Sequence, residues 1–213
     1  MVIFDCDGVL VDSETISNDL LARMLSDEGL PTTLEQARRD YQGMLLGEIA
    51  NSAEAKLGRP LPDGWIARYE RDRGEVFRRD LRAVPGAGEV VGDVLAAGLK
   101  VCVASQGKLA KTRLSLDLTG LRQLFADTAL FSAHCVPRGK PHPDLFLHAA
   151  RQMGVQPTDC AVVEDTPSGV TAAVSAGMRV FGYAADSDET ALRVAGAEVF
   201  HSHRQLPRLL GLE

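Results

Sequence analysis

With 213 residues, 45% apolar and 24% charged, the chain can form an ordinary globular domain with an inserted subdomain and bury a substantial core. A formal net charge of −6 argues against a general nucleic-acid or anionic-membrane surface, so an anionic ligand needs positive charge supplied locally. No apolar run reaches the roughly 18 residues that a membrane helix needs, and the first residues lack the basic, apolar and cleavage segments of a secretory leader. The cysteines, Cys6, Cys102, Cys135 and Cys160, match neither a zinc pattern nor CxxC, so reduced thiols in a cytoplasmic protein are expected.

Residues 1–5 read as a short strand that delivers the chain to Asp5, Cys6, Asp7 and Gly8. Ile16, Leu20, Leu21, Met24 and Leu25 then form a helical stripe ending near Gly29. Further helices are expected at about 33–40, 45–57 and 63–80, broken by "GRPLPDG". The next αβ unit starts at "VPGAGEVV", with strands at 99–105, 127–133, 160–164 and 178–184. Pro143 opens and Gly154 closes one intervening helix, with Leu145, Phe146, Ala149, Ala150 and Met153 on one face. In another, Thr166 can cap, Pro167 fits the first position and Gly177 the left-handed stop. Short continuous apolar strands alternating with helices indicate a buried parallel sheet. The expected architecture is α/β, a Rossmann-like parallel-sheet core formed by residues 1–12 and 84–213, with an all-helical cap inserted at 13–83. Asp12, Ser13 and Glu14, with residues about 80–85, are candidate hinges for a lid.

In such a sheet, ligands bind beyond the carboxyl ends of the strands. Asp5 and Asp7 follow the first strand, Ser105 ends the second, Lys140 follows the third, and Glu164 and Asp165 end the fourth. Several carboxylates in one place repel unless a cation sits among them, and oxygen donors select a hard ion such as Mg²⁺. With Lys140 and the Ser105 hydroxyl added, the cluster suits a phosphoryl group. Asp5 can attack phosphorus, and Asp7 can protonate the leaving oxygen and later accept a proton from water. Gly8 permits a sharp turn beside the ligand.

Together, "DxDGxL" at Asp5, Ser105, "KPxPD" at Lys140 and "EDxxxG" at Glu164–Gly169 resemble the four motifs of the haloacid dehalogenase-like hydrolase superfamily, over nearly the whole chain. The resemblance implies an aspartyl-phosphate at Asp5 and Mg²⁺ held by the Asp5 side chain, the Asp7 carbonyl and Asp165, with Glu164 a further acid bound directly or through water. The subgroup is similar to the β-phosphoglucomutase-like branch and its sugar-phosphate phosphatases, including those acting on 6-phosphogluconate. Mutases of that branch carry a Gly-x-Ser-Arg segment in the cap; here Gly43-Met44-Leu45-Leu46 lacks the hydroxyl and the arginine, which favours a phosphatase. Asp7 argues against dehalogenase chemistry. Lys56, alone in the cap, could serve a phosphonate hydrolase's Schiff base but reads better as a solvated helix lysine.

The leading reading is a Mg²⁺-dependent phosphatase for a small phosphate ester, monomeric by preference and with no nucleic-acid or membrane partner. The alternatives are a phosphomutase and a non-catalytic phosphometabolite-binding protein. His134, His142 and His148 are expected to be structural or solvated, Trp65 to pack within the cap, and Arg38, Arg39, Arg68, Arg71 and Arg73 to be mostly solvated.

Overall fold

A computed structural model of the protein describes residues 1–212. Six parallel strands, β1 (Val2–Phe4), β2 (Val101–Ser105), β3 (Leu130–Ser132), β4 (Ala161–Glu164), β5 (Arg179–Tyr183) and β6 (Glu198–Phe200), form one sheet in the order β3-β2-β1-β4-β5-β6. The fold is therefore the Rossmann-like α/β class expected from the alternation of strands and helices. The chain divides into two compact units, Met1–Val11 with Ala83–Glu213, and Asp12–Arg82.

The second unit contains helices α1 (Glu14–Asp27), α2 (Leu34–Tyr41), α3 (Leu46–Leu57) and α4 (Trp65–Asp80). Its core is the apolar stripe of α1, Leu20, Leu21, Met24 and Leu25, packed with Ala37, Tyr41, Ala53, Trp65 and Tyr69. Trp65 stacks on Tyr69 with centroids 6.0 Å apart, the packing role its sequence context suggests. Thr33 and Gln36 cap α2 reciprocally, at 3.2 and 2.8 Å, satisfying two backbone donors that the helix start would otherwise strand. The arginines of this unit mostly pair locally: Arg39 with Asp40, and Arg68 and Arg71 with Asp72. Arg73 lies over the Tyr69 ring at 5.2 Å.

In the sheet-bearing unit, α5 (Ala87–Ala96) precedes β2, and α6 (Leu109–Leu118), α7 (Asp144–Gln152), α8 (Pro167–Ser175) and α9 (Glu189–Ala195) connect successive strands, with α10 (Leu206–Leu210) last. Ile3, Cys102, Ala104, Phe131, Val162 and Val180 pack with Leu145, Phe146 and Ala149 of α7 and Val170, Ala172 and Ala173 of α8. The alternate strand residues Val2, Phe4, Val101, Val103, Val163 and Phe181 point to the opposite face and are equally buried. Both faces are thus covered, which is why the strands read as unbroken apolar runs. Each fully buried side chain of the size of Ile3 or Phe146 contributes roughly 1.5–3 kcal/mol.

β6 is a strand that the sequence does not announce. It has three residues, sits at the sheet edge and runs from exposed to buried, too short for a periodic signal. β3 is confined to Leu130–Ser132, because Asp127–Ala129 closes a 3₁₀ turn before it. Among the described residues no helix is long and apolar enough to cross a membrane.

The strand order matters for ligand binding. From β1 the chain adds β2 and β3 on one side, then returns to add β4, β5 and β6 on the other. The order reverses at β1, and the crevice beyond its carboxyl end is where an open α/β sheet can accept a ligand.

Candidate active site

Asp5 continues the ladder past β1: its N–H donates to the Val163 carbonyl at 2.9 Å. The chain then turns tightly, with the Leu10 and Val11 amides donating to the Cys6 carbonyl and Gly8 to that of Val11. Gly8 has φ +74°, and a Cβ there would overlap the Asp165 carboxylate. Glycine is needed twice over, for the left-handed backbone and for the approach of the β4 acid to the β1 turn. Cys6, between the two acids in sequence, is wholly buried, and burial holds its thiol well above the ordinary cysteine value. That leaves no thiolate for redox chemistry.

Lys140 reaches from the loop after β3 into this turn. Its ammonium lies 2.5 Å from Asp5 Oδ1, 2.5 Å from Glu164 Oε1 and 3.1 Å from the Ala104 carbonyl, above the Phe146 ring. Burial would depress the lysine's pKa, but Asp5 and Glu164 outweigh it and hold the group above the usual lysine value, as a permanent cation. Asp5 also rises, which for a carboxyl favours the neutral form. Burial, with help from Glu164 and Asp7 and against Lys140, raises its carboxyl to about 7.

Glu164 spends both oxygens. Oε1 accepts from Lys140, while Oε2 accepts from the amides of Asp165 and Thr166, both at 3.1 Å, and from the Thr166 hydroxyl at 3.0 Å. Thr166 in turn caps α8 through the Gly169 amide at 3.1 Å. A Cβ at Gly169 would overlap the Glu164 carboxylate, so the glycine of "EDxxxG" makes the space in which that acid sits.

Ser105 is fully buried at the end of β2, and its Oγ accepts from the Gly107 amide at 3.1 Å. As an acceptor there it keeps its O–H to donate. The Gly107 carbonyl accepts from Ser132 Oγ at 2.7 Å, and Gln106 Oε1 accepts from the Lys140 amide at 3.0 Å.

Of the residues singled out from sequence, Asp5, Lys140 and Glu164 are in direct contact. Asp165 packs against Gly8, and Ser105 adjoins them through Ala104. Asp7 is held differently. Its Oδ1 takes a hydrogen bond from Lys111, in the first turn of α6. Lys111 is not among the sequence candidates; its one signal is a lysine a helical turn beyond "SQG" at a strand end. Gln106 reads in the sequence as an ordinary turn residue, and nothing there marks Ser132. His203 is a further residue that the sequence does not mark: it is buried, and its Nε2 lies 2.8 Å from the Val9 carbonyl, just past the Asp7 turn. Burial lowers its pKa, so the neutral ring with the proton on Nε2 donates to that carbonyl. A contact between residues so far apart in sequence leaves no local signature.

His148 is a packing residue, edge-on to Phe131 with centroids 5.6 Å apart. Lys56 bonds Tyr41 and Asp40, at 3.1 and 3.2 Å, and its pKa is raised, first by the Tyr41 hydrogen bond. An amine meant for Schiff-base chemistry needs the opposite shift. The segment Gly43-Met44-Leu45-Leu46 joins α2 to α3, with Leu45 capped by Glu48.

Among the described residues no three His, Cys, Asp or Glu side chains converge as a ready cation cage. The chemistry of the donor set nevertheless fits a divalent ion. Four carboxylates (Asp5, Asp7, Glu164, Asp165) face two ammonium groups (Lys111, Lys140), an excess of two negative charges in a buried place. Asp5 is raised first by burial, and the neighbouring acids Glu164 and Asp7 add to that.

The comparisons with known proteins agree with this geometry. The chain is 32% identical over 209 residues to the 6-phosphogluconate phosphatase of Escherichia coli K12, covering 98% of this chain and 93% of that one. It is 30% identical over 191 residues to hexitol phosphatase B of the same organism, covering 83% and 80%. A crystal structure of a haloacid dehalogenase family hydrolase from Deinococcus radiodurans R1, with bound phosphate and sodium, superposes with a TM-score of 0.80 at 29% identity, covering 99% of this chain and 96% of that one. The sequence profile of the haloacid dehalogenase-like hydrolases matches residues 1–177. So long a match, joined to near-full-length similarity to phosphatases of the same kind, makes this chain a member of the haloacid dehalogenase-like hydrolase family.

Proposed function

We propose that the protein is a Mg²⁺-dependent phosphomonoesterase that hydrolyses a small phosphorylated polyol or sugar acid, 6-phosphogluconate being the first candidate. The observation that carries this reading is the buried Lys140 ammonium 2.5 Å from Asp5, beside a turn that also presents Asp7. A carboxylate, a fixed cation and a second acid at one strand end are what phosphoryl transfer to a side chain requires.

One Asp5 oxygen attacks phosphorus as the bond from phosphorus to the substrate oxygen breaks, and Asp7 gives its proton to that oxygen. The alcohol leaves, and Asp5 carries the phosphoryl group as an acyl phosphate. Asp7, now a carboxylate, takes a proton from a water that attacks phosphorus; inorganic phosphate departs and Asp5 is restored. Lys140 offsets the charge on the phosphoryl oxygens and Ser105 donates to one of them. The Asp5 carboxylate, the Asp7 carbonyl and Asp165 would hold Mg²⁺, which would supply further positive charge to the site. We assign Glu164 to orienting Lys140 and the turn before α8, outside the ligand set, because both of its oxygens are engaged.

The test is incubation with Mg²⁺ and a panel of sugar, sugar-acid and polyol phosphates, with inorganic phosphate measured against the total ester. Stoichiometric phosphate release is expected. Conversion to an isomeric ester would make the protein a mutase, and tight ester binding with neither outcome would make it a binding protein. Independently of turnover, millimolar Mg²⁺ is expected to raise the melting temperature of the wild type, by the linkage RT ln(1 + [Mg²⁺]/Kd), and to do so far less for Asp165→Asn. Equal Mg²⁺-induced shifts in both proteins would remove Asp165 from the ligand set.

A further inference from the structure

We propose that Gln106 is a positioning residue that locks the loop carrying Lys140 onto the loop carrying Ser105, so that the two phosphate-binding groups act as one preorganised unit. This rests on the phosphohydrolase reading above. Lys140 lies late in a long connection between β3 and α7, whose only regular feature among the described residues is the 3₁₀ turn Ala133–Cys135. The sheet ladder does not hold its backbone; the His142 amide donates to the Gly139 carbonyl at 2.9 Å and Arg138 pairs with Asp144 at 3.0 Å within this segment, and a tie to the neighbouring loop fixes its place. Gln106, immediately after Ser105, supplies that tie through Oε1, which accepts the Lys140 N–H at 3.0 Å.

Residue 139 is shaped for this contact. Gly139 does not have a left-handed φ, so that conformation is not what selects glycine there. A Cβ at 139 would lie 2.7 Å from Gln106 Nε2 and 2.9 Å from Oε1, so any side chain there would displace the amide from its present place. The glycine thus serves the glutamine. A second stitch runs alongside, from Ser132 Oγ to the Gly107 carbonyl, while Gly107 donates to Ser105 Oγ. Ser105 and Lys140 are joined by a continuous path in which Gln106 and Gly139 are the complementary halves.

Such a clamp matters most when charge spreads over the phosphoryl oxygens, since small displacements of charged donors then cost most. Gln106→Met, which keeps the length and loses the acceptor, is expected to lower kcat by about tenfold and to weaken inhibition by vanadate by a similar factor. KM should move less than about threefold. Gly139→Ala should give the same pattern by pushing the amide away, and the double variant should be no more than about twofold worse than either single one, because both break the same contact. Vanadate affinity is read per active molecule, so a smaller folded fraction does not imitate the effect. Unchanged vanadate inhibition in Gln106→Met, or fully multiplicative losses in the double variant, would overturn the clamp. A wild type that neither releases phosphate nor binds vanadate would instead overturn the phosphohydrolase reading on which it rests.

Discussion

Asp5→Asn is expected to lower phosphate-ester turnover by about 10⁴-fold or more and to abolish covalent phosphate labelling, since an amide oxygen is too weak a nucleophile to form the acyl phosphate. Its effect on stability has a defined sign. The Asp5 carboxyl rises from 3.8 to about 7 in the folded protein, chiefly through burial, so between those values the native state holds a proton that the unfolded state has lost. Stability then falls as pH rises from about 4 to about 7 and levels off above. Asparagine carries no such charge. In EDTA the variant should melt at or above the wild-type temperature at neutral pH, with the advantage shrinking towards pH 4. Wild-type turnover in Asp5→Asn would end the nucleophile assignment. A melting difference that grows on acidification would show that the Asp5 charge stabilises the fold rather than straining it.

Lys140→Met should destabilise the protein more than Asp5→Asn, Asp165→Asn or Gln106→Met. The lysine is 8% exposed and holds two acids, Asp5 and Glu164, that are themselves nearly inaccessible. Removing one partner of a buried ion pair typically destabilises by about 3–5 kcal/mol, because the remaining charge is stranded. Phosphate-analogue affinity should fall at least about tenfold as well. Asp5, already raised by burial, loses the lysine that lowers it, so the stability deficit should narrow as pH is lowered and Asp5 takes up a proton. Should the variant fail to fold at neutral pH, Asp5→Asn in the same chain removes one stranded charge and should restore part of the stability. A Lys140→Met protein that melts like the wild type and binds vanadate normally would refute both the charge balance and the phosphate role.

The pH sign of the first experiment and the rescue in the second have a common origin. The Asp5 charge is disfavoured first by burial and then by neighbouring acids, in a cluster with two more carboxylates than ammonium groups, so a proton on Asp5 or a bound cation would relieve it. Saturating Mg²⁺ should therefore flatten the pH dependence of wild-type melting.

Much of the fold is legible in the sequence. The apolar runs at residues 1–5, 99–105, 160–164 and 178–184 announce the central strands because both sheet faces are covered and every position must be apolar. Thr166 and Pro167 announce the start of α8 because capping is local chemistry. The helical character of the stretch between β1 and β2 follows from the stripe on α1 and the absence of strand-like alternation. The catalytic candidates stand out because most are polar residues at or just beyond the end of an apolar run.

Sequence does not reveal how those candidates are held. Lys140 bridges Asp5 and Glu164, Lys111 takes Asp7, Gln106 grips the Lys140 backbone and His203 supports the Val9 carbonyl, all contacts between residues 24 to 194 positions apart. Local propensity decides where strands and helices begin, since capping and burial on two faces act within a few residues. Only the parallel sheet, by reversing its order at β1, brings distant loops to one crevice, and only there does the surplus of negative charge exist for a lysine or a metal ion to offset.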